Sequence, residues 1–583
     1  MRSNRPWYSE AVRTPSSALA WLAPPSLIIW GLLAGVPSKA PAQTATPLVD
    51  ILASELERNF SALKAKADPP PYFLAYAVTE SEAESVSASL GSLNSRNRNQ
   101  RRTLDVTVRV GTPQLDNYRR VRGDLPRFTG GAVITLDDSP DAIKRRLWSE
   151  TDRVYRLASQ RLLNVKTNQQ VQVETKDDSG DFSAADKVVS VSAVPLLKFK
   201  GDDWQGKLRK WSAEFGTKPG ILSASITVVA QRESKTFVNT EGTRLQHGRT
   251  FARLIFGAQA KAADGMDLSS SEILDAEDAN RLPDEKIVRA TMAKVERDLI
   301  SLLQAPVVEP FVGPAILSGR ASGVFFHEIF GHRIEGHRQK DESEGQTFAK
   351  SVGTKILPEF LSVTFDATKR SLDGTDLNGW YEFDDEGVKA RPVTIVDQGI
   401  LRGFLLSRSP LTGFPSSNGH GRRQPGQEVV PRQSNLIVSS SNKVSSDALR
   451  AQLLAEVKKQ NKPYGLYFEK VDSGYTTTGR RGLQAFTVIP QIVYRIYADG
   501  RPDELVRGAD IVGTPLAAFA KIVATSDKME IFNGICGAES GNVPVSASSP
   551  AIFVSEVEIQ KKERSQDRPP ILPAPTVAAG GRP

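Results

Sequence analysis

Cysteine and histidine are scarce in this sequence of 583 residues, which has one cysteine, Cys536, and five histidines. A single cysteine excludes a disulfide within the chain, so its stability cannot depend on one. An unpaired thiol is a liability in an oxidising compartment unless something protects it. Metal coordination would give that protection. The sequence also lacks an internal repeat, which excludes repeat architectures.

A strong charge of one sign is also missing. The chain has 75 basic and 67 acidic residues, a net charge of +8 and a pI of about 9.3. The excess is spread along the chain, and the basic stretch 96–102 is predicted to be a solvated loop. We therefore expect no nucleic-acid partner.

The length exceeds that of one hydrophobic core and predicts at least two domains.

Residues 1–42 have the pattern of a secretory signal peptide. Arg2, Arg5 and Arg13 precede an apolar run over 18–36, and an Ala-Pro-Ala sequence ends at position 42. No cysteine follows closely, which excludes a lipoprotein anchor. We predict export to a bacterial periplasm or beyond. An uncleaved single-span anchor is the less favoured alternative, and the chain would contact a membrane only in that case.

The densest group of chemically active side chains is His327-Glu328-Ile-Phe-Gly-His332. Imidazoles are common zinc ligands, and a neighbouring carboxylate can take a proton from a metal-activated water. In a regular helix the spacing of five residues leaves the two rings about 140° apart. We predict that a π-bulge, eased by Gly331, restores a common face. The alternative is a packed histidine pair without chemistry.

Cys536 is the main candidate for a third metal ligand. It lies in the glycine-rich segment 533–541, which is predicted to be a loop. A His-His-Cys set would leave a fourth zinc position open for water, as catalytic sites require. His337 is an alternative third ligand, and Glu335 is either a ligand or a hydrogen-bond acceptor for an imidazole. A small buried hydrophobe is the alternative interpretation of the cysteine.

Three further polar groups are candidates for substrate contact. The acidic run 384–386 either shapes a binding site or ends a strand in solvent. His420 either stabilises an oxyanion or lies in an exposed flexible loop. Tyr475 is a further candidate hydrogen-bond donor.

The order of predicted elements indicates an α+β fold, because helices and strands mix without a repeating βαβ pattern. Residues 43–305 are predicted to form a mixed α/β domain. Its predicted helices are 48–63, 141–163 and 284–303, and its predicted strands are 104–110, 221–229, 235–238 and 251–256, with a turn at 239–242.

Residues 306–560 are predicted to form a β-rich domain, an antiparallel sheet or barrel around the distorted metal-binding helix. A disordered tail is predicted over 561–583. The predicted strands of this domain are 391–396, 400–406, 434–440, 487–497 and 551–558, with a hairpin turn at 397–399.

Five separated segments, in the same order, resemble the TldD/PmbA metallopeptidases. The resemblance runs from about Gly313 to about Ile559, and five ordered motifs are more specific than the His-Glu-His motif alone. The segments are Gly313-Pro-Ala-Ile-Leu, His327 to Gly336, Asp384-Asp-Glu-Gly387, Asn418-Gly-His-Gly-Arg-Arg, and Ile535-Cys536-Gly with Asn542-Val-Pro-Val.

The resemblance implies a zinc-dependent peptidase with one zinc ion per subunit, held by His327, His332 and Cys536, and with Glu328 as general base. It also implies a closed dimer chamber, in a homodimer or in a heterodimer with a family paralogue. Unfolded or short peptides would bind in extended form by strand addition. The family includes partner subunits that lack the motif, and this chain is similar to the catalytic members.

Two other functions are compatible with parts of the pattern. The chain could be a non-catalytic, metal-stabilised subunit that binds peptides or assists assembly, although the intact His-Glu-His set argues against that role. A DNA-associated regulator of gyrase, which an older family label suggests, conflicts with the predicted export.

Overall fold

The computed structural model describes residues 47–121, 124–171, 178–480 and 485–562, together with 568–570, 572 and 575. Within these ranges the chain forms two large β-sheets covered by helices, which confirms the predicted α+β class. The predicted signal peptide and most of the predicted tail lie outside the described residues. Among the described helices, none is both long enough and apolar enough to cross a membrane.

The N-terminal part of the described chain, up to Gln304, contains four α-helices and one eight-stranded sheet. The helices are α1 (Leu48–Lys66), α2 (Pro140–Val171), α3 (Gly201–Ser212) and α4 (Glu285–Gln304), with a 3-10 turn at Ala279–Arg281. The strands are β1 (Pro71–Ser89), β2 (Ser92–Thr112), β3 (Leu115–Asp116), β4 (Ala132–Val133), β5 (Val189–Val191), β6 (Ser223–Asn239), β7 (Arg244–Lys261) and β8 (Asp267–Ala276).

One face of this sheet carries all four helices. Alternate residues of β1 point to that face, as the two-residue period of a strand requires. Leu74, Tyr76 and Val78 pack with α1 and α2. Val86 and Ala88, farther along the same strand, pack with α3, and α4 packs on β7 and β8 in the same cluster. The opposite face of the sheet is therefore available to the C-terminal part of the chain.

Buried or paired arginines explain two differences from the predicted strands. The predicted strands 221–229 and 235–238 are one strand, β6, because Arg232 continues its buried face and pairs with Glu80 and Glu82 of β1. The predicted loop 96–102 is wrong, since these residues belong to β2 and pair with acidic residues of β1. The cross-strand pairs are Arg96 with Glu84, Arg98 with Glu82 and Arg102 with Glu80.

The C-terminal part contains four α-helices and a twelve-stranded sheet among the described residues. The helices are α5 (Gly319–Ile329), α6 (His337–Lys340), α7 (Ser446–Lys459) and α8 (Pro515–Phe519), with a 3-10 turn at Gly331–Ile334. The strands are β9 (Phe311–Leu317), β10 (Leu361–Asp366), β11 (Ser371–Leu372), β12 (Thr375–Asp376), β13 (Pro392–Asp397), β14 (Ile400–Leu401), β15 (Gly421–Arg422), β16 (Val430–Pro431), β17 (Asn435–Ser440), β18 (Lys443–Val444), β19 (Gly465–Thr476), β20 (Phe486–Ile496), β21 (Glu504–Val506), β22 (Ala509–Gly513), β23 (Ile522–Ala538) and β24 (Gly541–Lys561).

Five of these strands close into a barrel. They follow the order β9, β19, β20, β22 and β24, and β24 pairs with β9 to complete the ring. Strands β17, β10, β13 and β14 extend the sheet beyond β24, and β23 forms a long hairpin with β24. The predicted barrel-like, β-rich architecture is therefore confirmed. The predicted domain limits at 305 and 560 stay predictions.

The predicted strand 400–406 is shorter than expected, although the turn before it is confirmed. Gln398 and Gly399 have φ values of 47° and 79°, as a tight hairpin turn requires. The strand ends at Leu401, and the chain beyond it pairs at Leu405 with a different segment. The backbone N–H of Leu405 donates to the carbonyl of Ile334 at 2.9 Å, two residues after His332.

Helix α5 approaches the β23–β24 hairpin closely along one row of small residues. Gly319, Gly323 and His327 follow one another at four-residue spacing and therefore share a helix face. A Cβ atom on Gly323 would lie 2.9 Å from the carbonyl oxygen of Ala547, and one on Gly319 would lie 2.5 Å from that of Ser549. The absence of side chains at both positions allows the helix to bring His327 to the hairpin.

We expect Gly323→Ala to destabilise the protein by about 1–3 kcal/mol, because the added methyl group overlaps backbone that cannot move freely. Gly206→Ala is the matched control. Gly206 also lies in a helix, but nothing lies within 4 Å of the position of its Cβ, and this change should stabilise the protein by about 0.5–1 kcal/mol. Urea unfolding measures both effects. Equal effects of the two substitutions would contradict the close packing.

Candidate metal centre

The two histidines are brought together by a change of helix type. Helix α5 ends at Ile329, and a 3-10 turn covers Gly331–Ile334. The predicted π-bulge is therefore wrong. The tighter turn places the His332 ring 5.1 Å from the His327 ring, measured between centroids. Arg333 donates through Nη1 to the helix carbonyls of Glu328 at 3.3 Å and Ile329 at 3.2 Å. These bonds satisfy carbonyl groups that the end of a helix leaves free.

His327, His332 and Cys536 form a cluster whose potential ligand atoms all lie within 4.8 Å of one another. The Nε2 atoms of His327 and His332 lie 3.2 Å and 3.3 Å from Cys536 Sγ. Tetrahedral zinc with ordinary bond lengths separates nitrogen and sulfur ligands by about 3.6 Å. The three side chains therefore fit a zinc ion with little movement.

Cys536 lies in strand β23, two residues before its end, so the predicted loop is wrong. It is 5% exposed and packs against Val543 and Val545. Burial raises the pKa of its thiol, but the imidazoles of His332 and His327 outweigh burial and place the pKa well below its ordinary value. The thiolate, which is the metal-binding form, is therefore favoured at this position.

Glu335 is a hydrogen-bond acceptor for an imidazole. Its Oε2 lies 3.4 Å from Nδ1 of His332 and accepts from Nε of Arg338 at 2.9 Å. Burial raises the pKa of the carboxyl group, but the charges of His332 and Arg338 outweigh it and lower the pKa to about 2. The contact orients the ring so that Nε2 faces Cys536, as outer partners of metal-binding histidines do.

His337 is not part of this cluster. Its Nε2 contacts the Glu539 carboxylate, and the described His, Cys, Asp and Glu side chains give one three-residue group, that of His327, His332 and Cys536. The alternative in which His337 supplies the third ligand is therefore wrong.

Glu328 lies beside the cluster and faces the same cavity. Its Oε2 is 3.9 Å from Nε2 of His332, and both residues line a cavity of about 540 Å³. Gly474 lies against this carboxylate, since a Cβ atom there would be 2.6 Å from Cγ of Glu328. Tyr475 lines the same cavity and is 59% exposed, so its hydroxyl is accessible for a hydrogen bond.

Two strand segments form the walls of the cavity. Residues 472–476 of β19 lie on one side and residues 532–538 of β23 on the other. Over Lys470–Thr476, β19 pairs with β20 alone among the described strands. One backbone edge of β19 is therefore open along the cavity.

Residues 312–561 match the PmbA/TldA metallopeptidase C-terminal domain. These residues form a domain of the TldD/PmbA family. A metalloprotease of Methanothermobacter thermautotrophicus is 26% identical over 463 residues, which cover 77% of this chain and 93% of that protein. A zinc metalloprotease TldD homologue of Saccharolobus solfataricus is 24% identical over 355 residues, which cover 60% of this chain and 74% of the relative.

The fold is also that of a solved family structure. TldE from Thermococcus kodakarensis superposes with a TM-score of 0.57 at 13% identity, covering 88% of this chain and all of that protein. At this identity the likeness establishes the fold alone.

In this TldD/PmbA domain Asp384 is buried and Asp385 and Glu386 are half-buried, so the alternative in which the acidic run 384–386 ends a strand in solvent is wrong. Asp384 Oδ1 accepts from the backbone N–H groups of Glu386 and Val388 at 3.0 and 2.9 Å. Asp385 accepts from Lys235 Nζ at 2.6 Å and from the Arg423 N–H at 2.8 Å. Asp385 therefore ties the C-terminal part to Lys235 of the N-terminal sheet, whereas Asp384 shapes its own loop.

His420 is fully buried, so its prediction as part of an exposed loop is wrong. Its Nε2 lies 3.1 Å from Ser434 Oγ, and its Nδ1 lies 3.3 Å from the carbonyl oxygen of Asn418. Burial lowers the pKa of the imidazole to about 3. His420 is not among the described residues that line the cavity at the metal cluster, so the predicted oxyanion contact has no support there.

Sequence reasoning missed three side chains that hold His327, His332 and Cys536 of the TldD/PmbA domain in place. Arg432 donates to Cys536 Sγ at 3.2 Å, Arg338 donates to Glu335, and Gln433 Nε2 donates to the carbonyl of His327 at 3.2 Å. A Cβ atom at position 331 would overlap the side-chain amide of the buried Gln433, so a larger residue than Gly331 would displace that amide. The chain has 75 lysine and arginine residues, so the sequence alone does not distinguish Arg432 from the others.

We expect His420 to make the protein less stable in acid. The unfolded histidine takes up a proton near pH 6.5, whereas the folded one stays neutral down to about pH 3. Stability is therefore lost as the pH falls below 6.5. Between pH 7 and pH 5 the wild type should lose about 2 kcal/mol more unfolding free energy than His420→Gln. Urea unfolding at both pH values measures this difference, and parallel losses would contradict it.

Proposed function

We propose that this chain is a zinc-dependent peptidase that hydrolyses unfolded or short peptides. The observation that carries the proposal is the convergence of His327, His332 and Cys536, with Glu328 beside them, on one open cavity. Its relatives bear the names metalloprotease and zinc metalloprotease, which agrees with this chemistry. Zinc is preferred because a thiolate with two imidazoles is a soft ligand set that magnesium and calcium disfavour.

We propose one zinc ion per subunit, held by the two histidines and the cysteine. Bound zinc would polarise the scissile carbonyl group and lower the pKa of a water molecule to about 7. Three protein ligands leave one coordination position for that purpose. The cavity beside the cluster, about 540 Å³ in volume, gives a peptide access to it.

Glu328 would act as the general base. Its carboxylate would take a proton from the attacking water and later pass it to the leaving amine nitrogen. The contact with Gly474 limits where the side chain can lie, and Arg333 fixes the backbone carbonyl of Glu328 itself. The base is therefore held in place both at its backbone and along its side chain.

The open edge of β19 would bind the substrate in an extended conformation. Main-chain hydrogen bonds to a strand edge make little demand on sequence, which suits unfolded and short peptides. Tyr475 would donate a hydrogen bond to a peptide carbonyl group from the same edge. Glu335 would act through His332 without contacting the peptide, because Glu335 is fully buried and does not line the cavity.

We propose that the protein works as a dimer, either with itself or with a family paralogue, in an exported compartment. The fold likeness to TldE supports a family partner, and the N-terminal pattern of residues 1–42 supports export. N-terminal sequencing of the native protein after cell fractionation tests export. A native N-terminus at Met1 in the cytoplasm would contradict it and revive the DNA-associated alternative.

We expect Glu328→Gln to keep zinc but lower peptide cleavage at least about 100-fold, since a general base contributes roughly 10²–10⁴-fold to a rate. Zinc content is measured by mass spectrometry of the metal, and cleavage with an unfolded peptide pool. Glu342→Gln is the control, because Glu342 is exposed and has no described partner. Full cleavage by the Glu328 variant would remove the proposed base.

The same assay separates the peptidase from the non-catalytic alternative. Zinc with cleavage by the wild type supports the peptidase. Zinc without cleavage in either protein supports a metal-stabilised peptide-binding or assembly subunit that needs a catalytic partner.

We expect Cys536→Ala to weaken zinc binding more than about 100-fold, because loss of an outer partner alone typically costs 10–100-fold and this change removes a direct ligand. Competition with a chromophoric chelator measures the affinity. Val523→Ala, at an exposed position of the same strand and outside the cavity lining, is the control. Unchanged affinity of the Cys536 variant would exclude the cysteine as a ligand.

A further inference from the structure

Arg432 is a fully buried arginine that contacts the metal cluster from the protein interior. It follows β16 directly and is absent from the described residues that line the cavity. A peptide in the cavity would therefore not touch it. Any effect of Arg432 on the metal centre has to pass through the ligands.

The guanidinium group of Arg432 fixes the cysteine ligand at two points. Its Nη2 donates to Cys536 Sγ at 3.2 Å and to the Cys536 carbonyl oxygen at 2.7 Å. Its Nη1 donates to Ser540 Oγ at 2.8 Å and to the Gly541 carbonyl oxygen at 2.9 Å. One planar group thus holds both the sulfur atom and the turn of the β23–β24 hairpin.

The same arginine reaches a second ligand through Glu335. Nε of Arg432 lies 3.5 Å from Oε1 of Glu335, and the other oxygen of that carboxylate contacts His332 Nδ1 at 3.4 Å. The Nε and Oε1 atoms are buried and have no other described hydrogen-bond partner. The two atoms therefore face each other at salt-bridge distance.

A hydrogen bond to a thiolate withdraws electron density from the sulfur atom. Outer contacts of this kind tune both the affinity and the electronic character of a metal site. Inside a protein the effect is stronger than in water, because the local dielectric constant is low. Arginine suits this role because its charge persists when buried and its planar fork makes several bonds at once.

We propose that Arg432 is a positioning residue that fixes the position of the Cys536 thiolate and, through Glu335, the orientation of the His332 ring. Its N–H···S bond limits the charge that the sulfur atom donates to the metal. This inference rests on the metal ligands of the proposed function. It does not depend on peptide cleavage.

The test uses the purified full chain loaded with Co²⁺, whose thiolate-to-cobalt charge-transfer band reports on the sulfur atom. We expect Arg432→Met to shift this band to longer wavelength and to weaken Co²⁺ binding about 10–100-fold. Arg432→Lys keeps the charge and one donor, so it should give a smaller change in both readouts.

Arg422→Lys is the matched control, because Arg422 is a buried arginine of the neighbouring β15 strand that donates to the Gln433 and Pro544 carbonyls and does not contact Cys536. It should leave the band in place. An unchanged band in Arg432→Met, or an equal shift in the control, would overturn the inference. Should the methionine variant fail to fold, the same two criteria apply to Arg432→Lys.

The wild type separates this inference from the proposed ligand set. A charge-transfer band that is lost in Cys536→Ala supports the cysteine ligand. Absence of the band in the wild type would overturn the ligand set and the role of Arg432 together. A band that persists unchanged when Arg432 is replaced would overturn the role of Arg432 alone.

Discussion

The close approach of helix α5 to the β23–β24 hairpin is the contact on which the metal centre depends. His332 and Cys536 are 204 residues apart in sequence, so no local structure can join them. Gly319 and Gly323 allow the helix backbone to reach the strand carbonyls, and His327 continues the same row. The 3-10 turn that follows brings His332 back to the same sulfur atom. A metal ion bound by these three residues would fasten a helix to a hairpin.

A second layer of charged side chains surrounds this contact. Arg432, Glu335 and Arg338 are buried, and each contacts a ligand or a partner of a ligand. Buried charges are costly to leave unpaired, so the layer specifies one arrangement of the ligands. Opposite it, the cavity is lined by an open strand edge, Tyr475 and Glu328. The interior side therefore sets the geometry of the ligands, and the cavity side is free to receive a substrate.

Local patterns predicted the elements whose residues follow a simple period. Apolar spacing gave α1 and α4 to within a few residues, and Gln398-Gly399 gave the hairpin turn. The pattern failed where polar residues are buried. Arg232 interrupts the apolar pattern of β6, so two strands are predicted in place of one. The arginines of β2 that pair with β1 resemble a polar loop, so a loop is predicted over 96–102. The ligands were proposed from composition and spacing. The 3-10 turn, the strand position of Cys536 and the role of Arg432 depend on contacts made by distant parts of the chain, which no local pattern records.

The buried ion pairs between the two sheets have a consequence for how the chain can be divided. Asp385 has Lys235 of the N-terminal sheet as its cation, and Arg408 has Glu241 of the same part of the chain as its anion. A fragment starting near residue 306 would keep every metal ligand but would lose both ion pairs and the contacts of the Arg408 guanidinium with the Phe73 and Phe182 rings. The N-terminal sheet and the part that carries the metal ligands thus form one structural unit, and removing either would expose the charged face that joins them.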